Sequence, residues 1–298
     1  MLFRSLSRFA PEDVVVAEVG SGTGAADGAG GGRPAAAAGM RRLTSLIGLD
    51  PVREALRLRL SGLARLRREQ SPIAGLANLV FEGREGSGRT AVAEIYAQCL
   101  AEDDLIASGV VRKARLADFP VLEPKQAQIF AAHLFEQTAG GVLLLRMDED
   151  FFRRTPEQRT AVLGALRPAV TKNQSTVLVL AGGPNRVAQI LRERPDVAGC
   201  FADSLAFPDY DPQRLAMLTV RHLAVRGFQA GDETQRAIAE RFAAAKPRNG
   251  ARDAHRFAQA LAAGARAAAI GPADVGRPAP VAPVEAADAQ PQPAASVS

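Results

Sequence analysis

The chain has 298 residues, 47% of them hydrophobic, and 37 Lys plus Arg against 32 Asp plus Glu, for a formal charge of +5 and a sequence pI near 9.7. That apolar content suffices for one large or two small buried cores, while an excess of charge so thinly spread does not by itself argue for nucleic acid. Cys99 and Cys200 lack metal-ligand spacing, the histidines His133, His222 and His255 are scattered, and no apolar run approaches the roughly 18 residues of a membrane span. A disulfide framework and a Cys/His metal cluster are therefore not expected, and a reducing, cytoplasmic compartment is.

Residues 1–40 open with MLFRSLSRFAPEDVVVAEV, a short frayed helix or, as the alternative, a transit peptide. They end in GSGTGAADGAGGGRPAAAAG, which buries too little side chain to offset its ordering entropy and predicts a disordered leader. Asp50 and Pro51 suit the N-cap and first position of a helix. That helix puts Leu56, Leu60, Leu63 and Leu66 on one side and interleaves Arg53, Arg57, Arg59, Arg65, Arg67 and Arg68.

A short apolar run, Leu79 to Phe81, then meets GREGSGRT at 83–90, and a helical pattern follows at once. Strand, glycine loop and helix in that order form a phosphate cradle, because successive backbone N–H groups turn inward and the new helix adds its positive end. The loop departs from G-x-x-x-x-G-K-[ST] by carrying Arg89 for the lysine, and Thr90 stands where a Mg²⁺ ligand belongs.

Further strands are expected at 110–116, 141–145, 176–180 and 204–207, with helices at about 125–136 and 156–170 between them. Short continuous apolar strands alternating with helices predict an α/β fold, a wound parallel sheet binding its ligand at the strand carboxyl ends. From Asp211 the pattern is helical, with candidates at 212–225, 233–245 and 251–269. The expected organisation is a leader over 1–40, an α/β core over 41–210, a helical lid over 211–270 and a disordered Pro/Ala-rich tail over 271–298.

Taken in order, LIGLDPVREAL at 46–56, FEGREGSGRT at 81–90, GGVLLL at 140–145, VLVLAGGP at 177–184, FPDY at 207–210 and GAR at 250–252 resemble the AAA+ ATPases. Within them the wording is similar to the CbxX/CfxQ group, which includes red-type Rubisco activases, a sporulation stage V protein and type VII secretion ATPases. The resemblance implies a P-loop AAA+ parallel sheet flanked by helices and followed by a small all-α lid. It implies ATP or ADP held by Gly83, Gly86, Gly88, Arg89 and Thr90, with Arg252 as the lid arginine called sensor 2. Assembly would be with an AAA+ ring partner or as a homo-oligomer, acting on a protein client.

The departures from that family fall on hydrolysis. Where its strand ends in Asp-Glu, for Mg²⁺ and the attacking water, this chain has Arg146 and Met147, and an acidic run, Asp148 and Glu149, begins two residues later. A slip of two keeps the facing of a strand but moves the acid ~6 to 7 Å further along, which makes Mg²⁺ doubtful. Ala198 and Cys200 occupy the arginine-finger positions, Asn185 lies near sensor 1, and Phe119 is either a pore-loop remnant or a core residue. The expected function is a degenerate AAA+ scaffold or regulatory subunit that assembles with an active relative, either holding nucleotide with Arg89 and Arg146 in place of lysine and metal or, as the alternative, with Arg146 filling the emptied pocket and abolishing binding. The alternatives are an active ATPase remodelling a protein client, and a polyanion-binding module using the Arg53 to Arg68 face, although nucleic acid is not the expected partner.

Overall fold

The computed structural model describes residues 38–276 apart from 72, 74, 122, 123, 246 and 248. The leader over 1–37 and the tail over 277–298 lie outside the described residues. Where those two expectations reach further in, folded structure replaces them. Helix α1 (Ala38–Thr44) packs on α3 (Arg89–Glu102), and its Gly39 N–H donates to both carboxylate oxygens of Glu102 at 3.0 and 2.9 Å. A Cβ on Gly39 would stand 2.9 Å from the Cys99 sulfur, so only glycine allows that approach. At the other end α13 (Pro272–Val275) buries Val275 against the helical cluster described below.

Five strands form one parallel sheet in the order β2-β3-β4-β1-β5: β1 (Leu79–Glu82), β2 (Val111–Arg115), β3 (Val142–Met147), β4 (Val177–Gly182) and β5 (Asp203–Ala206). The central strands are apolar on both faces because helices cover both, as βαβ crossovers require. On one side α1, α2 (Asp50–Arg68) and α3 pack on Leu79, Phe81, Leu144 and Val179. On the other, Leu143, Leu145, Leu178 and Leu180 meet α4 (Pro124–Glu136), α6 (Pro156–Gly164) and α7 (Leu166–Lys172).

Several sequence expectations need correction. Asp50 is not the cap of α2: Leu49 holds that place without a side-chain bond, and the Asp50 carboxylate pairs with Arg53 instead. The single helix expected over 156–170 is two, broken at Ala165, because Pro168 has no N–H to give the Gly164 carbonyl. The short helices α5 (Glu149–Phe152), α8 (Pro184–Glu193) and α9 (Pro195–Ala198) were not foreseen. Phe119 resolves as a core residue, 1% exposed and edge-on to Phe130 with centroids 5.0 Å apart.

Beyond Tyr210 the chain forms a helical cluster with its own core: α10 (Pro212–Val225), α11 (Asp232–Ala245), α12 (Ala251–Gly264) and α13. Helix α12 ends five residues before the expected 269, and a two-residue parallel ribbon, β6 (Gln229–Ala230) with β7 (Ala269–Ile270), closes the cluster. Tyr210 packs against both this core and the α2/α3 side of the sheet.

Buried Asn78 ties three segments at the amino end of the sheet. Its Oδ1 accepts the Leu178 N–H at 2.8 Å and its Nδ2 donates to the Cys200 carbonyl at 3.0 Å. Asn78→Ala leaves both backbone groups buried without partners and should cost about 1–3 kcal/mol, lowering the melting midpoint by roughly 2–4 °C per kcal/mol in a calorimetric scan.

His222 of α10 and His255 of α12 meet edge-on, ring centroids 4.9 Å apart. Burial, then the nearby His255, Arg226 and Arg221, pull the His222 pKa down to about 4. Because the unfolded chain binds the proton more readily, stability held above about pH 6.5 should fall as the pH drops from there towards 4. His222→Leu should flatten that slope in melting curves taken across the interval.

Candidate nucleotide site

The site forms where β1 runs into Gly83 at the carboxyl edge of the sheet. Strand register brings Phe81, Ala181 and Arg146 to one level, and alternation puts Arg146 on the same face as Leu144, the face that α3 covers. The Arg146 side chain is accordingly a neighbour of Arg89, the first residue of α3.

The loop from Gly83 to Gly88 owes its course to missing side chains. A Cβ on Gly83 would stand 2.6 Å from the Ser87 hydroxyl and 2.7 Å from Phe207. Gly86 and Gly88 take φ of +77° and +91°, a region that L side chains rarely enter. Gly88 leads α3 without a side-chain cap, so the first amides of that helix are left to another acceptor. The Ser87 hydroxyl is buried and has no partner among the described residues.

Arg89 is half-buried, and among the described residues neither its side chain nor that of Arg146 makes a hydrogen bond or ion pair. Burial, then the like charge of Arg146, pull the Arg89 pKa down to about 10; Glu85 opposes this and Arg252 adds to it. The guanidinium therefore stays cationic at neutral pH. A cation held beside other cations, over uncapped helix amides and an orphan hydroxyl, fits an anion such as a nucleotide phosphate.

The cluster of α10 to α12 closes over the same loop. The Ala251 N–H donates to the Gly86 carbonyl at 3.0 Å, and the Arg252 guanidinium reaches Glu85 at 2.6 Å. A Cβ on Gly86 would lie 1.6 Å from the Asn249 carbonyl oxygen, so the two backbones touch with no room for a side chain. Arg252 thus sits at the loop rather than as a solvated charge at a helix start. Glu85, its partner, went unnoticed in the sequence, where an acid in a glycine loop carries no pattern of its own.

The acids after β3 are engaged elsewhere. Asp148 caps α5 by accepting the Phe151 N–H at 3.3 Å and pairs with Arg115 at 2.5 Å. Asp150 also pairs with Arg115, and Glu149 is exposed, 3.6 Å from Arg186. Met147 packs into the core on the far face of the sheet, against Gly182 and near Leu143 and Leu145. At the loop the side-chain oxygens are the Thr90 and Ser87 hydroxyls and the Glu85 carboxylate, which Arg252 holds, while the end of β3 presents the Arg146 guanidinium. This donor set does not fit Mg²⁺, which asks for several hard oxygens in octahedral array.

The remaining expected residues lie apart from the loop's contacts. Asn185 is exposed in the first turn of α8. Of the two finger positions Ala198 ends α9 and Cys200 is buried, while Arg194 just before them is bound to Asp196 at 2.8 and 2.6 Å and to the Thr160 carbonyl. Asp148→Ala should lower stability by about 0.5–2 kcal/mol through the lost cap, with phosphate affinity unchanged, as melting and titration calorimetry would record.

No family model matches the chain. Among curated proteins it is 26% identical over 211 residues to the plasmid-borne protein CbxX of Cupriavidus necator, covering 65% of this chain and 64% of that protein. It is also 24% identical over 162 residues to stage V sporulation protein K of Bacillus subtilis, covering 53% of this chain and 50% of that one. The chain therefore spans less than two thirds of the length of these relatives. A Thermotoga maritima RuvB mutant structure shares the fold, with a TM-score of 0.56 at 21% identity over 78% of this chain and 70% of that one. The chain is thus similar in sequence to proteins of the CbxX/CfxQ group and has the five-stranded parallel sheet of the AAA+ fold.

Proposed function

We propose that the chain is a non-hydrolysing AAA+ subunit that takes ATP or ADP on its glycine loop, holds the phosphates with arginine rather than with lysine and Mg²⁺, and serves as a scaffold or regulatory partner of an active relative. The observation that carries this reading is Arg146, on the face of the sheet that α3 covers and beside Arg89, while the nearby acid Asp148 is held by Arg115. A second guanidinium offers charge to the phosphates, but it can neither ligate a cation nor take a proton from water.

Two losses support the scaffold reading over the active remodeller. Met147 supplies no base, and the finger positions hold Ala198 and Cys200, so a neighbouring subunit would forgo a contribution of about 10³ to 10⁵ in rate. The polyanion reading is weakened by the α2 face itself. Arg53, Arg57, Arg59 and Arg65 pair with Asp50, Glu54, Asp203 and Glu69, so much of that charge is already balanced.

Titration calorimetry with ATP and ADP, with and without Mg²⁺, tests the reading alongside a phosphate-release assay. Binding of equal strength in the two conditions, with no turnover, is the expected result. Clear Mg²⁺-dependent turnover would restore the active enzyme. The double variant Arg89→Lys with Arg146→Asp should make binding depend on Mg²⁺ while turnover stays at least about a thousandfold below that of a ring with arginine fingers.

A further inference from the structure

The helical cluster reaches the glycine loop through two contacts of different kinds. One is backbone to backbone, Ala251 N–H to the Gly86 carbonyl at 3.0 Å. It depends on glycine at both ends, since Gly250 has φ of +53° and a Cβ there would lie 2.8 Å from the Gly86 oxygen. The other is the ion pair between Arg252 and Glu85. Asp253, the acid next to Arg252, is committed to Asn249, accepting from its N–H at 2.8 Å and from its side-chain amide at 3.3 Å. Glu85 is therefore the carboxylate that Arg252 meets.

The charges around the loop make that pair exchangeable. Arg89, Arg146 and Arg252 gather at one place, and Glu85 is the acid among them. The pair is solvent-exposed, with relative side-chain exposures of 34% and 60%, and pairs of that kind are weak. A polyphosphate on the loop offers Arg252 more negative charge than one carboxylate does.

We propose that Glu85 is a built-in competitor for Arg252: it holds the lid arginine, and with it the start of α12, against the glycine loop until a nucleotide phosphate takes the guanidinium over. The proposal rests on the nucleotide-binding reading and adds its regulation. The affinity for nucleotide is lowered by the fraction of molecules in which Glu85 holds Arg252, and the same exchange couples phosphate binding to the position of the helical cluster.

A double-mutant cycle on the full chain tests it, using Glu85→Gln, Arg252→Ala and the two combined, with ATP as probe and hydrogen exchange as a second readout. Without added nucleotide, Glu85→Gln should speed amide exchange in the segment around Ala251 about threefold. With Arg252 present it should tighten ATP binding about two- to fivefold, and in the Arg252→Ala background it should tighten it little. Equal tightening in both backgrounds would reduce Glu85 to a repulsive charge and overturn the proposal, as would unchanged exchange in both single variants. Absence of ATP binding in every variant would overturn the nucleotide reading alone, and the exchange result would still decide whether Glu85 holds the lid.

Discussion

The structure around the candidate site depends on two backbones meeting without side chains between them. Gly86 and the turn at Asn249 and Gly250 approach so closely that a single methyl group would collide, and the Ala251 amide spends its proton on the loop carbonyl. That contact sets where α12 begins, and so where Arg252 points. It joins two bodies that otherwise have separate cores, with Tyr210 packed at their junction.

Electrostatics at the loop run opposite to those of a metal-dependent nucleotide site. Such a site balances phosphate with one lysine, a divalent cation and the acids that hold the cation. Here guanidinium groups gather, and the carboxylates at the loop and just after β3 pair with Arg84, Arg252, Arg115 or Arg186. Arginine keeps its charge even where burial and like-charged neighbours pull its pKa down to about 10, so the excess persists at neutral pH and calls for an anion. The core beneath is unaffected, because Arg146 is the one half-buried position of β3, between the buried Leu145 and Met147.

Much of the fold was legible because its signals are local. Apolar runs too short for helices marked β1, β3 and β4, and the turn chemistry of the glycine loop marked the start of α3. The misses differ in cause. Helices α5 and α9 have four residues each, too few to show a period, α8 buries Val187 and Ile190 at helical spacing and was overlooked, and α1 rests on a contact between Gly39 and Glu102, sixty-three positions apart. The break between α6 and α7 was readable in Pro168 and was overlooked.

The sequence by itself determined the glycine loop between a strand and a helix, the presence of Arg146 and Met147 at the end of β3, and the order of strands and helices that relates the chain to the AAA+ family. Each of these is a matter of residue type and spacing along one segment. Tertiary structure alone decided that Arg146 comes beside Arg89, that Arg115 claims Asp148, and that Glu85 meets Arg252. Charges so distant in sequence are paired only by the register of a parallel sheet and by the way the helical cluster closes on it, and neither leaves a trace in local pattern.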